Sequence, residues 1–393
     1  MAGRFLTTHT GSLARPPDLT AMLLARAERK PVERRAFDDA CRRAVADVVR
    51  KQCAVGLDVI NDGEQSKTGF VQYMRERLAG LDGEPAPRGL SLEAREFPEA
   101  PRGYATQTPC TGPLSWRNFG EVERDIENLK AAAVDAAGRK PFMTAVSPGS
   151  FVNAHPDRYY GSRDKYLAAV IEIMRREYEA IAAAGFMLQI DSPDLAQRSY
   201  NFPDLELQEW LKIVAQYVDA LNEAIRIIPK EQVRVHVCWG AGEAPHNHDT
   251  ELKDIVHLLL NLRVSALSFV AANGRHEHEW RIWEDVGVPP DMTIIPGVLD
   301  STTNIVEHPE TVAERLLRFC SVVNCDQIMA GVDCGFGTTI KSTPKVIPSV
   351  AWAKLQSLVA GAALASARIW GRSDAASGSC ASLADRHRFH SST

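Results

Sequence analysis

A histidine and a cysteine lie two residues apart at the end of the apolar run VRVHVC, residues 233–238. Valines alternate there with Arg234, His236 and Cys238, and this alternation predicts a β-strand. Side chains two residues apart in a strand point to the same face, so we expect the imidazole and the thiol side by side. Imidazole and thiolate are ligands that zinc prefers, but a single pair is more often a core histidine beside a buried cysteine.

Cys334 supplies a third ligand and strengthens the zinc interpretation. It follows the run IMAGVD and precedes a glycine, so it also stands at the exit of a predicted strand. In a closed barrel of parallel strands, the exits of distant strands open into one mouth, and His236, Cys238 and Cys334 would meet there. Catalytic zinc sites use three protein ligands and keep a fourth position for water or substrate. The pattern therefore predicts a catalytic zinc site that activates a small thiol as nucleophile.

The elements that must position these residues alternate along the chain. Short apolar runs, typical of strands buried on both faces of a parallel sheet, cover residues 5–8, 57–61, 141–146, 186–191, 233–238, 266–270, 292–298 and 327–332. Amphipathic stretches between them predict helices, among them residues 31–55, 163–184, 205–228, 249–262, 311–323 and 344–369. This alternation predicts an α/β fold, a single (β/α)8 TIM barrel of residues 1–370. A doubly wound open sheet is the alternative, although no glycine-rich phosphate fingerprint follows the first strand.

Two segments stand outside this alternation. Residues 83–116, after the second strand–helix unit, are rich in Pro, Gly and Glu and show no clear period. We expect them to form an inserted flap, or an arm that contacts a second copy of the chain in a homo-oligomer. Residues 371–393 are rich in Ser and Ala and predict a disordered tail.

The composition favours an ordinary soluble globular protein. The 393 residues are 45% apolar and 24% charged, with a formal net charge of -5. This mild acidity gives no reason to expect nucleic acid as a partner, and no apolar run reaches the ~18 residues needed to span a membrane. Eight cysteines are scattered without the spacing of a disulfide framework, and the first residues lack an apolar signal core. These features predict a cytoplasmic protein.

Seven segments resemble, in the same order, the catalytic barrel of the cobalamin-independent methionine synthase family: TTHTGSLARP, GLDVINDGEQSKTGFVQYM, LQIDSPDLA, VHVCWG, ANGRHEHEW, IPGVLDSTTNIVEHP and GVDCGFGT. The likeness runs from about Thr7 to Trp370 and is nearest to short single-barrel members such as epoxyalkane:coenzyme M transferase. It implies a (β/α)8 barrel in which a zinc-bound thiolate attacks an electrophilic carbon. His236, Cys238 and Cys334 match the family's zinc ligands and would be the catalytic residues. The implied partners are Zn²⁺, a small thiol, and an alkyl or methyl donor.

The resemblance also implies how the thiol substrate is bound. The family holds its thiol amino acid with a Gly-Ser turn, a Glu after strand two and an Asp after strand four, which here are Gly11, Ser12, Glu64 and Asp191. Taken alone, these residues would also fit a helix cap, a solvated acid and a turn. Other polar residues at predicted strand exits complete the substrate-binding set: His9, Asn273, Arg275 and Asp300.

Three positions depart from the family's pattern, and one of them, Gly274, replaces a Pro beside the site and should loosen that loop. Val270 stands where the family has a zinc-binding Glu, so zinc should be held by three residues, more weakly, or with help from His246, His248 or His276. Thr302 stands near the place where methionine synthases carry a proton-donating His, which argues against methyltetrahydrofolate as the methyl donor.

The sequence therefore favours a zinc-dependent thiol alkyl- or methyltransferase similar to 5-methyltetrahydropteroyltriglutamate-homocysteine methyltransferase. Two alternatives stay open. Zinc without the carboxylate is a better Lewis acid, which suits a lyase or hydrolase on the same barrel. A barrel that has lost its metal would instead be a binding protein. Metal content distinguishes the binding protein from the two enzymes. A requirement for a thiol substrate distinguishes the transferase from the lyase or hydrolase.

Overall fold

The structure of the chain is a computed structural model that describes residues 3–100, 106–136, 138–337, 339–340 and 345–371. The predicted disordered tail lies outside the described residues, except for Gly371 directly after the last helix.

Helices and short strands alternate through the described part of the chain. The helices are α1 Pro17–Ala27, α2 Arg34–Val55, α3 Gln72–Arg77, α4 Leu92–Glu96, α5 Gly120–Ala133, α6 Pro148–Ala154, α7 Arg163–Ala183, α8 Arg198–Asn201, α9 Leu207–Ala224, α10 Leu252–Leu259, α11 Ile282–Asp285, α12 Pro309–Cys320 and α13 Pro348–Trp370. The strands are β1 Val59–Ile60, β2 Leu78–Ala79, β3 Ala86–Pro87, β4 Thr106–Gln107, β5 Ser115–Trp116, β6 Lys140–Val146, β7 Met187–Asp191, β8 Val233–Val237, β9 Ala266–Phe269 and β10 Thr293–Pro296.

Six strands form one parallel sheet in the order β1-β6-β7-β8-β9-β10. The spatial order equals the chain order, with at least one helix between successive strands, as in repeated strand–helix–strand units. Since all six strands run the same way, their carboxyl ends meet at one edge of the curled sheet. The predicted α/β class is confirmed, and the described part of the chain shows no sign of a doubly wound strand order.

The runs predicted as the first and last strands form only isolated bridges in the described residues. Thr7 bridges in parallel to Ala330, and its carbonyl oxygen accepts a hydrogen bond from the Val59 amide at 3.1 Å. On the other side, Ile328 bridges to Ile294 in β10. Residues 7 and 328–331 therefore lie between β1 and β10, the two edge strands of the sheet.

Local sequence accounts for the ends of the helix that leads into β1. The Glu33 carboxylate accepts hydrogen bonds from the amides of Arg35 and Ala36, which are free at a helix N-terminus. The helix ends at Gly56, whose φ of 98° lies in the left-handed region that glycine adopts without strain. Gly185 ends α7 in the same way, with φ 85°.

The predicted insertion, residues 83–116, contains one short antiparallel pair, β3 with β4. Its last strand, β5, pairs antiparallel with β2, which lies just before the insertion. Part of it, residues 101–105, lies outside the described residues. Arg95 forms an ion pair with Asp204 at 2.7 Å, and Glu96 accepts a hydrogen bond from Asn247 at 2.9 Å. The insertion therefore contacts the segments that follow β7 and β8.

One described helix, α13, is long and apolar enough by length and composition to cross a membrane. Half of its most apolar window is buried inside the protein, and the helix packs against α12. Its fully buried Lys354 also forms an ion pair with Glu307 at 2.6 Å. These contacts are those of a core helix.

Candidate metal centre and substrate site

The three predicted zinc ligands come together at the carboxyl edge of the sheet. His236 lies in β8, Cys238 follows that strand directly, and Cys334 follows the bridged residues 328–331. Their ligand atoms all lie within 4.8 Å of one another, and all three residues are buried. Among the described residues, this is the one group of three or more such side chains whose ligand atoms are placed to hold a metal ion.

The geometry of the cluster fits a tetrahedral metal ion. The sulfur atoms of Cys238 and Cys334 are 3.8 Å apart. Two sulfur ligands about 2.3 Å from a tetrahedral zinc ion would lie about 3.8 Å apart. The Nδ1 atom of His236 shares a hydrogen bond with Ser268 Oγ at 3.1 Å, while Nε2 is buried without a hydrogen-bond partner. Ser268 thus orients the ring and leaves Nε2 as the free donor atom for a metal.

The surroundings of the Cys334 thiol disfavour its ionisation. Its hydrogen bond with Cys238, followed by burial, raises the pKa of Cys334 well above its usual range. A metal ion supplies positive charge that stabilises thiolates, so metal binding and loss of the thiol protons would be coupled.

Val270 lies directly after β9, is 5% exposed and offers no ligand atom. The histidines considered as substitutes are already engaged. His248 contacts the Glu96 carboxylate, and His246 and His276 belong to a separate group described next. Three protein ligands therefore remain as the described donor set.

We define the imidazole–carboxylate cluster as His246, Asp249, His276 and Glu279. His276 donates to Glu279 at 2.9 Å and to Asp249 at 3.1 Å, and His246 donates to Asp249 at 2.7 Å. Burial opposes protonation of His276, but the two carboxylates outweigh it and raise the pKa of His276 to about 9. The ring of His276 stacks on Trp239 at 4.1 Å, so the cluster braces the loop that follows Cys238.

Asp191, a buried acid, pairs in register with His236, and a second buried acid, Glu64, is near enough to Asp191 to act on its charge. Thr144 donates to Glu64 Oε1 at 3.0 Å, while Oε2 is buried without a partner. Gln189 donates to Asp191 Oδ1 at 2.8 Å. Burial and the nearby charge of Glu64 raise the pKa of Asp191 to about 7. A buried carboxylate oxygen without a donor suits a cationic group of a ligand.

The Gly-Ser turn lies against these acids. Gly11 has φ 144°, and a Cβ there would be 2.7 Å from Thr144 Cγ2 and 2.8 Å from Glu64 Oε1. Only glycine lets the backbone approach Glu64 this closely. The Ser12 carbonyl accepts a hydrogen bond from the Phe336 amide at 2.9 Å, which joins the turn to the loop after Cys334.

His9 makes a contact inside the protein. Its Nε2 donates to Gln52 Oε1 in α2 at 2.8 Å, and burial lowers the pKa of His9 to about 4. The ring is therefore neutral and attached to α2.

The other predicted substrate residues form turns. Asn273 Oδ1 accepts a hydrogen bond from the Arg275 amide at 2.8 Å. Asp300 Oδ1 accepts from both the amide and the hydroxyl of Thr302, each at 2.7 Å. The Thr302 hydroxyl is thus already a donor to a carboxylate.

Sequence reasoning missed Gln189 and Ser268, which hold Asp191 and His236. Gln189 was detectable from the period-two rule, whereas Ser268 becomes apparent only from the register of β8 and β9. Gln189 lies two residues before Asp191 and shares its face of β7, and Ser268 pairs in register with His236. Asp333 was also missed: its Oδ1 accepts from the amides of Ala271 and Ala272 at 2.8 and 2.9 Å, which ties the loop after β9 to Cys334.

The sequence profile described as "Cobalamin-independent synthase, Catalytic domain" matches residues 5–86 and 144–354. The chain belongs to this family. The resemblance inferred from the seven sequence segments is confirmed, and the matched ranges contain His236, Cys238, Cys334, Glu64 and Asp191.

Curated relatives fall into two length classes. Methionine synthase of Sulfolobus acidocaldarius is 24% identical over 359 residues, which cover 90% of each chain. The 2-hydroxypropyl-CoM lyase of Xanthobacter autotrophicus is 23% identical over 74% of this chain and 78% of the relative. The 5-methyltetrahydropteroyltriglutamate--homocysteine methyltransferase of Thermotoga petrophila is 22% identical over 88% of this chain, which spans only 43% of that relative.

Solved structures share the fold. The B12-independent methionine synthase of Shewanella sp. W3-18-1, in complex with selenomethionine, superposes with a TM-score of 0.73 at 21% identity and covers 93% of this chain and 99% of its own. A vitamin-B12 independent methionine synthase homologue from Listeria monocytogenes gives a TM-score of 0.63 at 19% identity, covering 92% and 97%.

Proposed function

We propose that the chain is a cytoplasmic, zinc-dependent thiol alkyl- or methyltransferase. The observation that carries this proposal is the buried His236, Cys238 and Cys334 cluster, with an unpartnered Nε2, beside two buried acids. Membership of a family whose relatives are named methionine synthase and 2-hydroxypropyl-CoM lyase supports chemistry at a thiol sulfur.

We place this site at the mouth of a closed (β/α)8 barrel of residues 1–370. The bridges that residues 7 and 328–331 make next to β1 and β10 support closure. The contacts of Arg95 and Glu96 with loops of the same chain support a flap, rather than an arm between copies, for residues 83–116.

The chain's residues divide the chemistry between them. A zinc ion, when bound by His236, Cys238 and Cys334, would keep a substrate thiol ionised at neutral pH. Glu64 and Asp191 would bind an ammonium group and so orient the thiol. The sulfur attacks an electrophilic carbon, the S–C bond forms, and the bond from carbon to the leaving group breaks. The leaving group keeps that electron pair, and the thiol proton has gone to solvent.

The preferred donor carries a good leaving group. Methyltetrahydrofolate needs its leaving amine protonated, and the Thr302 hydroxyl, which donates to Asp300 at 2.7 Å, is too weak an acid for this. General acid catalysis typically contributes about 10²–10⁴-fold in rate. A sulfonium methyl donor or a strained epoxide ring needs that acid far less.

The test pairs two thiols with two kinds of electrophile on zinc-loaded protein. L-homocysteine carries an ammonium group and coenzyme M carries a sulfonate, which the two acids would repel. We expect S-alkylated homocysteine from S-methylmethionine or propylene oxide, and with methyltetrahydrofolate a rate at least ~100-fold lower. Mass spectrometry identifies the product.

Two outcomes would contradict the proposal. Rapid turnover with methyltetrahydrofolate would show that another group donates the proton. Zinc-dependent hydrolysis or cleavage without any thiol would favour the lyase or hydrolase alternative.

A further inference from the structure

Arg234 lies in the layer of the sheet directly beneath the metal and substrate site. It is two residues before His236 in β8, so both side chains share one face. The register pairs Arg234 with Gln189 and pairs His236 with Asp191. Barrel interiors are usually filled by branched apolar side chains, whereas this layer holds a guanidinium that is 2% exposed.

The hydrogen-bond acceptors of Arg234 are all uncharged. Its Nε donates to Gln189 Oε1 at 2.8 Å, and its two terminal nitrogens donate to Thr8 Oγ1 at 3.1 Å and to the His9 carbonyl at 3.3 Å. The guanidinium carbon also lies 3.8 Å from the centre of the Phe142 ring. A buried cation whose hydrogen-bond acceptors are all neutral is costly, even with the Asp191 carboxylate near enough to attract it, so its presence calls for an explanation.

Arg234 decides which way the Gln189 amide points. A guanidinium has donors and no acceptor, so the amide must turn its oxygen toward Arg234. This leaves Nε2 to donate to the Thr10 carbonyl and, at 2.8 Å, to Asp191 Oδ1. A flipped amide would set N–H groups against Arg234 and an oxygen against the Asp191 carboxylate. The cation thus fixes a donor to one oxygen of Asp191.

We propose that Arg234 is a positioning residue that acts through Gln189 to orient the Asp191 carboxylate toward the ammonium group of the substrate. This inference rests on the proposed function, because it assigns Asp191 the substrate contact. It adds a second layer of residues to the site. Asp191 contacts the substrate, Gln189 holds Asp191, and Arg234 sets the orientation of the Gln189 amide.

The experiment measures binding of L-homocysteine to zinc-loaded protein by calorimetry, with 4-mercaptobutyrate, which lacks the amino group, as the second probe. Arg234→Met and Gln189→Leu should each weaken homocysteine binding about tenfold, the effect of losing a hydrogen bond to a charged group. The double variant should be no weaker than either single variant, because both changes break the same chain of contacts. Binding of 4-mercaptobutyrate and zinc content should stay as in the wild type.

Two further variants guard against a trivial loss of folding. Thr8→Val removes another acceptor of Arg234, outside the path to Asp191, and should bind homocysteine as the wild type does. Gln189→Glu keeps an acceptor for Arg234 but places a second carboxylate beside Asp191. Repulsion between the two carboxylates should displace Asp191 and weaken homocysteine binding by more than about tenfold.

The outcomes separate the inference from the proposed function. If the wild type binds zinc but not homocysteine, the proposed substrate class is wrong and the inference falls with it. If the wild type binds homocysteine and Gln189→Glu binds it equally well, only the positioning role is overturned. If Arg234→Met weakens the binding of L-homocysteine and of 4-mercaptobutyrate equally, Arg234 has only a structural role.

Discussion

The candidate metal centre and the imidazole–carboxylate cluster both contain histidines and meet through the loop after Cys238, where Trp239 stacks on His276, yet they differ in how their polar atoms are satisfied. In the metal centre, His236 Nε2 has no partner, and Glu64 Oε2 beside it has none either. In the cluster, both ring nitrogens of His276 and both of His246 are hydrogen-bonded. The three residues of the candidate metal centre are buried, and so are His276 and Glu279 of the cluster, whereas His246 and Asp249 are half-buried.

This difference separates a site for a ligand from a structural brace. Burying a polar atom without a partner costs free energy, so a fold that keeps such atoms together is expected to gain a ligand that satisfies them. A buried histidine with two carboxylate partners has no capacity left for a metal. Residue type alone does not distinguish the two regions, and four experiments can test the distinction.

The largest effect is expected at the two cysteines. Cys238→Ser and Cys334→Ser should each lower zinc affinity by at least ~100-fold, because each removes one of only three protein ligands. Zinc analysis after dialysis against a chelator measures this. Cys53→Ser, a change of a half-buried cysteine in α2, should keep its zinc. Full zinc occupancy in the double variant would end the assignment.

The cluster should affect stability rather than metal binding. The pKa of His276 is about 9 when folded and about 6.5 when unfolded, so its stabilisation is complete below pH 6.5 and is lost as the pH rises through 9. In the wild type, the free energy of unfolding should fall by roughly 3 kcal/mol between pH 6.5 and 9.5 because of His276. The His276→Gln variant should lack this fall and keep its zinc content.

Urea unfolding at the two pH values measures the difference. His278→Gln, at an exposed position outside the cluster, serves as the control. If the pH dependence of the unfolding free energy is unchanged in His276→Gln, or if this variant loses its zinc, the cluster is not a purely structural region and the distinction is wrong.

Asp191→Asn tests the substrate side of the metal centre. It should raise the KM for an amino thiol about tenfold, since the charged partner of the ammonium is lost. Burial raises the pKa of Asp191 to about 7, so above that pH the ionised carboxylate lowers the free energy of unfolding. The variant should therefore be no less stable at pH 8. A variant that unfolds more readily but keeps its KM would make Asp191 structural.

The smallest effect is expected at Val270. Val270→Glu should slow zinc loss to a chelator several-fold, because a carboxylate could complete the ligand set. Val270→Gln is the matched control, with similar shape and no charge. Equal rates for the two variants would show that position 270 does not face the metal.

That His236, Cys238 and Cys334 come together could be predicted from sequence, because two local rules suffice for this. A period of two puts His236 and Cys238 on one face of a strand, and the carboxyl ends of parallel strands meet at one edge, where Cys334 also arrives. The predicted helices agree for the same reason: capping residues such as Glu33 and Gly56 act on neighbours in the chain.

Only the tertiary structure could decide which polar residues face a ligand. His9 reads as a site residue by position, but its ring is bonded to Gln52, 43 residues away. His276 reads as a spare metal ligand until Asp249 and Glu279 are found on its two nitrogens. Sequence determines which groups a face presents, whereas satisfaction of each donor and acceptor depends on distant partners that packing brings together.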